Sequence, residues 1–138
     1  MNIFFTGAIR GGRAHQPEYA RIVAMLEKCG TVYSRHVQDE TLSQYGETDI
    51  SAEEILKRER NTLEKCKIVV AEVTTPSLGV GYLIACATSA AKKVVALYRG
   101  EDTLKLSAII KGDRGVAVYT YDTDEDLERI FEEALEGR

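Results

Sequence analysis

The sequence predicts an α/β fold in which helices cover both faces of a five-stranded parallel sheet. Segments with strand and helix patterns alternate from one end of the chain to the other, which is typical of parallel sheets with helical crossovers. The segments Ile68–Val73 and Val94–Tyr98 are apolar on both faces, as strands are when helices cover both sides. The chain has 138 residues, enough for one domain with its own core, so we expect 1–138 to form a single domain.

The first half of the chain contains two predicted strands and two predicted helices. The strand Asn2–Thr6 leads directly into a glycine-rich turn. Apolar residues near helical spacing predict the helix Gln16–Cys29, and Thr31–Ser34 follows as the second strand. After a polar, irregular stretch over about 37–50, Ser51 is expected to cap a helix that runs to about Cys66.

The second half continues the alternation and ends in an acidic helix. That last helix is expected to be capped by Thr123 or Asp122. The elements predicted here are the strand Ile68–Val73, an alanine-rich helix from about Gly81 to Ala91, the strand Val94–Tyr98, a helix Thr103–Lys111, the strand Val116–Tyr121 and the helix Asp124–Glu136.

Composition disfavours several classes of function. The net charge of -4 leaves no basic surplus for neutralising the many phosphates of a nucleic acid. No apolar run approaches the roughly 18 residues of a membrane span, and the first residues have a strand pattern rather than that of a leader. Cys29, Cys66 and Cys86 lack metal-ligand spacing and are interpreted as small core residues in a reducing compartment. We therefore expect a cytoplasmic protein with no metal and no cofactor.

The loop after the first strand is a candidate anion site. In parallel α/β sheets the ligand lies beyond the carboxyl ends of the strands, where the strand order reverses. The loop Thr6–Arg13 holds three glycines and two arginines, so backbone N–H groups could approach an anion while Arg10 supplies a forked pair of donors. A flexible glycine turn with solvated arginines is the alternative interpretation. The loop lacks the ending of a Walker motif and the spacing of a dinucleotide fingerprint.

The loop after Ile68–Val73 is the second candidate. Ser77 is expected to cap the following helix through its hydroxyl. Gly79 and Gly81 exceed what a cap requires and indicate a backbone pressed against a neighbour.

Three titratable residues outside these loops are further candidates for chemistry. His36 is a surface or hydrogen-bonded histidine unless it contacts the ligand. Glu59, among Lys57, Arg58 and Arg60, is expected on a solvated charged face. Glu72 is an acid in a buried strand, which is costly without a partner; an arginine, a helix terminus or solvent at the strand end could satisfy it.

Four stretches carry a resemblance to a known family: FFTGAIRGGR, YARIVAMLEKCGTV, IVVAEVTTPSLGVGY, and LYRG followed by LSAIIKG. They resemble the 2'-deoxynucleoside 5'-monophosphate N-glycosidases of the nucleoside 2-deoxyribosyltransferase-like superfamily, over nearly the whole chain. The resemblance implies a flavodoxin-like three-layer sandwich and a homodimer. It also implies cleavage of the bond between base and deoxyribose in a nucleotide.

The resemblance also implies which residues bind the substrate. Ala8 stands where the family usually has serine, and Ser107 would reach into the site of the partner subunit. The helix with Leu83, Ile84, Ala87 and Ala90 is a candidate for part of that interface. The binding residues implied are Gly7, Ala8, Ile9, Arg10, Gly11, Gly12, His36, Ser77, Gly79, Ser107, Ala108 and Ile109.

The catalytic positions depart from the family pattern. Leu83 stands where the family has its catalytic glutamate, and Phe4 stands where it has a tyrosine. Glu59 matches an aspartate of the family and is one methylene longer. Two hypotheses stay open: an N-glycosidase in which another carboxylate, with Glu59 the best candidate, has taken over, or a non-catalytic nucleotide-binding or sensing protein.

Overall fold

The computed structural model describes residues 1–9, 16–33 and 48–137. Within these residues the strands are β1 (Asn2–Gly7), β2 (Thr31–Tyr33), β3 (Ile68–Glu72), β4 (Lys93–Arg99) and β5 (Val116–Tyr121). The α-helices are α1 (Gln16–Leu26), α2 (Ala52–Glu64), α3 (Leu78–Ser89), α4 (Ala108–Gly112) and α5 (Asp124–Glu136), and a 3-10 helix spans Thr103–Lys105.

The five strands form one parallel sheet in the order β2-β1-β3-β4-β5. The chain first moves from β1 outward to β2 and then crosses back to place β3 on the other side of β1. The strand order therefore reverses between β1 and β3, as in flavodoxin-like sheets. This arrangement confirms the predicted fold, and it puts Gly7 opposite Glu72 at the carboxyl ends of the two strands.

Side chains alternate between the two faces of the sheet and build two apolar clusters. The cluster under α1 and α5 contains Phe5 and Val70 from the strands and Leu127 from α5. The cluster under α2, α3 and α4 contains Phe4 from β1 and Leu63 from α2. Every residue of β3 is buried, which confirms the prediction that helices cover this strand on both sides.

Two predicted helices have different bounds in the structure because serine and aspartate caps set them. Helix α3 begins at Leu78, three residues before the predicted start. The Ser77 hydroxyl accepts a hydrogen bond from Val80 N at 3.3 Å, which confirms the cap predicted at Ser77. The predicted helix Thr103–Lys111 is divided in two. Asp102 caps its 3-10 turn and Ser107 caps α4, so local side-chain bonds compete with one continuous helix.

The other differences concern helix ends and the irregular stretch. Helix α1 ends at Leu26 rather than Cys29, and α2 ends at Glu64 rather than about Cys66. Thr123 is the cap of α5, one of the two predicted residues. Most of the irregular stretch 37–50 lies outside the described residues, as does Ser34.

Candidate functional site

The candidate site lies at the carboxyl edge of the sheet, between β1 and β3. Helices α1 and α3 follow these two strands and pack on opposite faces of the sheet. Both helices therefore begin at this edge, where the positive partial charge of a helix N-terminus favours an anion. Of the residues predicted for the first loop and its surroundings, Arg10, Gly11, Gly12 and Arg13 lie outside the described part of the chain, and so does His36.

The described start of the first loop is tightly packed. A Cβ atom added at Gly7 would lie 3.0 Å from Cζ of Tyr19, a buried residue of α1. Ala8 is fully buried, and Ile9 packs against the cluster under α1 and α5. Gly7 thus lets α1 approach the end of β1, a packing role that the sequence alone had not separated from ligand approach.

The glycines after Ser77 lie inside α3 rather than in a loop. A Cβ added at Gly79 would have Ser77 Oγ as its nearest neighbour at 3.9 Å, and one at Gly81 would meet no described atom within 4 Å. The neighbour that the sequence predicted for them is therefore not found among the described residues. Glycine lowers helix stability by about 1 kcal/mol relative to alanine, so packing within the described residues does not explain either glycine.

A cavity of about 620 Å³ separates the start of α3 from the segment that leads into α4. Ser77 and Ser107 both line it, together with Lys105 and apolar residues such as Leu106 and Ile109. The Ser107 hydroxyl accepts a hydrogen bond from Ile110 N at 3.4 Å, and Ala108 beside it is exposed. The fold thus places two predicted phosphate-binding serines at one cavity of the same chain, while the role of Ser107 in a partner's site stays a prediction.

Phe4 and Leu83 contribute apolar surface to the cluster under α2 and α3. Phe4 is fully buried there, and Leu83 is partly buried against it. Neither side chain carries a group that can accept or donate a proton. Both positions therefore offer shape and apolar contact rather than acid–base chemistry.

Glu59 is buried, contrary to the solvated face predicted for it. Its exposed fraction is 7%, whereas Lys57 and Arg60 on the same helix are exposed. The difference follows from helical spacing, because Glu59 lies one turn before the buried Leu63. Arg58 Nη2 lies 2.8 Å from Glu59 Oε1, so this ion pair compensates the buried carboxylate.

One contact joins α2 and α3 at residues that neighbour Glu59 and Leu83 in the sequence. Arg60 Nη2 donates a hydrogen bond of 2.6 Å to the Tyr82 hydroxyl. The Cζ atom of Arg60 lies 5.7 Å from the centroid of the Tyr82 ring, and the hydrogen bond to the Tyr82 hydroxyl is the dominant contact. Glu59 and Leu83 are the sequence neighbours of the two members of this pair, and the segments 58–60 and 82–84 are here together called the α2–α3 seam.

Glu72 lies at the end of β3 and is fully buried. Two of its contacts are a hydrogen bond of 2.6 Å from Thr74 N to Oε1 and one of 3.2 Å from the Tyr121 hydroxyl to Oε2. Burial raises the pKa of Tyr121, and the charge of Glu72 and this hydrogen bond raise it further. The sequence had singled out Glu72, but Tyr121 is 49 residues away and no local signal pointed to it.

The three cysteines are free thiols in the core or at its margin. Cys66 is buried, while Cys29 and Cys86 are half-buried. Burial raises the pKa of the Cys29 and Cys66 thiols, which disfavours the thiolate that nucleophilic chemistry needs. Separately, no helix within the described residues is long and apolar enough to cross a membrane.

The fold and the edge geometry define an α/β protein whose candidate site lies at the reversal of strand order. A family model described as nucleoside 2-deoxyribosyltransferase matches residues 3–127. The chain therefore belongs to the nucleoside 2-deoxyribosyltransferase family, which confirms the resemblance found in the sequence.

Similar proteins with assigned names are nucleotide N-hydrolases. The chain is 41% identical over 112 residues to a 5-hydroxymethyl-dUMP N-hydrolase of Rattus norvegicus, covering 80% of this chain and 69% of that protein. It is 38% identical over 141 residues to a protein of the same name from Esox lucius, covering 99% and 97%. It is 32% identical over 136 residues to a putative 2'-deoxynucleoside 5'-phosphate N-hydrolase of Syntrophotalea carbinolica, covering 98% and 94%.

A solved structure shares the fold. It is a CMP N-glycosidase from Clostridium botulinum, with a TM-score of 0.64 and 15% sequence identity, and the match covers 94% of this chain and 97% of that one. At this identity the likeness extends to the arrangement of strands and helices.

Gly7→Ala is expected to destabilise the protein because the new Cβ would press on the buried Tyr19 ring. Overpacking of this kind costs about 1–3 kcal/mol. The free energy of unfolding in urea measures the effect. Gly112→Ala is the matched control, since its Cβ would meet no described atom within 4 Å. Equal stabilities of the two variants would contradict the packing role of Gly7.

Proposed function

We propose that this chain hydrolyses the bond between base and sugar in a nucleoside 5'-monophosphate, in the cytoplasm and without a cofactor. The observation that carries the proposal is the buried, arginine-paired Glu59 on α2, a helix that the hydrogen bond between Arg60 and Tyr82 joins to α3. The names of relatives that are 32–41% identical support the class of reaction.

The reaction needs negative charge close to the sugar. Cleavage of a glycosidic bond passes through an oxocarbenium-like transition state. A carboxylate can stabilise the positive charge of this state, attack the anomeric carbon of the sugar, or activate the attacking water. Leu83 can do none of these, so Glu59 takes this role in the proposal. Because loss of a nucleophile costs orders of magnitude in rate, turnover is expected to be slow.

The phosphate of the nucleotide would bind at the carboxyl edge between β1 and β3. The donors in the proposal are the amides from Ala8 to Gly12, the Arg10 guanidinium, and the Ser77 hydroxyl at the start of α3. Helix α3 has 12 residues, and its N-terminus adds positive partial charge to this place. Gly79 on its exposed first turn and His36 would contact the same ligand.

We further propose a homodimer in which Ser107 completes the site of the neighbour. Three large apolar side chains near the cavity are exposed, namely Leu78 (97%), Leu104 (84%) and Ile109 (83%), which is unusual for a surface that stays in water. The interface suggested from the sequence needs a correction. Ile84 and Ala87 belong to the core of the chain itself, because that side of α3 faces the sheet, so they are not available to a partner.

A non-catalytic nucleotide-binding or sensing protein is the second candidate. The observation that favours it is the apolar character of Phe4 and Leu83, which pack in one cluster under α2 and α3. A site of this kind could hold a nucleotide without cleaving it.

Glu59→Gln is expected to lower kcat for base release by about 10²–10⁴-fold, because it removes the proposed carboxylate while keeping its shape. Released base is measured by chromatography with a panel of ribo- and deoxyribonucleoside monophosphates, and nucleotide affinity should change little. Glu64→Gln, at an exposed position on the same helix, is the control. Full activity of Glu59→Gln would remove Glu59 from the mechanism, and no base release by the unsubstituted protein would favour the second candidate.

Leu83→Glu is expected to raise kcat by about tenfold or more, because a carboxylate would then face the sugar at the family's position. Leu83→Gln has nearly the same size without the charge and should give no increase. If the two variants release base at equal rates, the lost glutamate does not limit this chain.

The homodimer predicts twice the chain mass in sedimentation at micromolar concentration. Ile109→Asp is expected to produce monomers, because it places a charge on the exposed apolar surface. Glu128→Asp, on the exposed side of α5, should leave the mass unchanged. A monomer for the unsubstituted protein would refute the shared site.

A further inference from the structure

A set of hydrogen bonds outside the α2–α3 seam fastens the segment between β3 and α3. Glu72 Oε1 accepts from Thr74 N at 2.6 Å, and Glu72 Oε2 accepts from the Tyr121 hydroxyl at 3.2 Å. The Thr74 hydroxyl in turn accepts from Arg99 N at 2.8 Å. Thr74 is thus hydrogen-bonded to Glu72 of β3 and to Arg99 of β4, and Glu72 connects it to Tyr121 of β5.

Glu72 lies on the opposite face of the sheet from the α2–α3 seam. Its partner Tyr121 belongs to the cluster under α1 and α5, whereas Phe4 and Leu83 pack in the other cluster. Direct action of Glu72 on the sugar is therefore not supported by its position. A fully buried carboxylate is nevertheless costly to keep, which indicates a role in holding its partners.

A short segment with a restricted backbone connects Thr74 to Ser77. Only Thr75 and Pro76 separate the two residues. Proline fixes its own φ and restricts the residue before it to extended conformations. The place of Thr74 therefore constrains where the Ser77 hydroxyl and the first turn of α3 lie.

The same set of contacts reaches the start of α1. The Arg99 guanidinium forms an ion pair with Glu18, in the first turn of α1, while the backbone N–H of Arg99 binds Thr74. Arg99 thus links the segment before α3 to the helix that follows the first loop. One residue of β4 therefore contacts both Thr74 and the first turn of α1.

We propose that Glu72, Thr74 and Tyr121 are positioning residues that hold the Ser77 turn at the place where the substrate phosphate binds. The inference rests on the proposed function, since it assigns these residues to the phosphate of the nucleotide. They act through Ser77 and the first amides of α3. Their effect therefore falls on recognition of the phosphate rather than of the nucleoside.

The tyrosine hydroxyl remains a donor under all conditions in which a nucleotide would bind. The pKa of Tyr121 is raised, first by burial and then by the charge of Glu72, so the hydroxyl stays protonated well above neutral pH. The hydrogen bond to Glu72 is therefore not lost through ionisation of the tyrosine near neutral pH.

The test compares affinities for 2'-deoxyuridine 5'-monophosphate and 2'-deoxyuridine by calorimetry. Tyr121→Phe removes the hydroxyl that donates to Glu72. It should weaken the affinity for the monophosphate by about tenfold and change the affinity for the nucleoside little. Tyr119→Phe is the matched control. Tyr119 belongs to the same strand, and its hydroxyl donates a hydrogen bond of 3.3 Å to Glu133, away from Thr74. The control should keep both affinities.

Thr74→Val removes the acceptor of Arg99 N and supplies a second route to the result if Tyr121→Phe folds poorly. Thr88→Val, which removes a hydroxyl within α3, serves as its control. An unchanged ratio of the two affinities in a folded variant, or an equal loss of both, would overturn the positioning role and leave the proposed function intact. Failure of the unsubstituted protein to prefer the monophosphate over the nucleoside would overturn both.

Discussion

The reversal of strand order between β1 and β3 is the constraint on which the candidate site depends. It sends α1 and α3 to opposite faces of the sheet while both helices begin at the same edge. A crevice bordered by two helix N-termini follows from this connectivity alone. Gly7 and Glu72 are paired at the carboxyl ends of these two adjacent strands.

In the proposed site, residues on one face of the sheet serve cleavage and residues on the other face position Ser77. On the face covered by α2 and α3, the α2–α3 seam contains Glu59 and Leu83, and the proposed function puts the sugar there. On the face covered by α1 and α5, Glu72 and Tyr121 hold the segment that leads to Ser77. Under the proposed function, a substitution in the α2–α3 seam changes turnover, and one at Glu72 or Tyr121 changes phosphate recognition.

The sequence predicted the sheet well, because β3 and β4 are apolar on both faces and such a pattern has few other solutions. It predicted the cap at Ser77 but began α3 about three residues too late, and it joined two short helices because the cap at Ser107 was not recognised. It also placed Glu59 on a solvated face, because neighbouring charges in the sequence conceal which side of a helix packs. The partner of Glu72 could not be predicted, since only the fold brings Tyr121 to β3.

Amide chemical-shift mapping of the isotope-labelled protein with 2'-deoxyuridine 5'-monophosphate tests the central claim, that a nucleotide binds between β1 and β3. The largest changes in amide chemical shift are expected at the carboxyl edge, at Gly7, Ala8 and Ile9 and at residues from Ser77 to Val80. Inorganic phosphate alone should shift a subset of the same amides. Largest shifts at Gly30 and Lys67, at the amino edge of the sheet, would contradict the account.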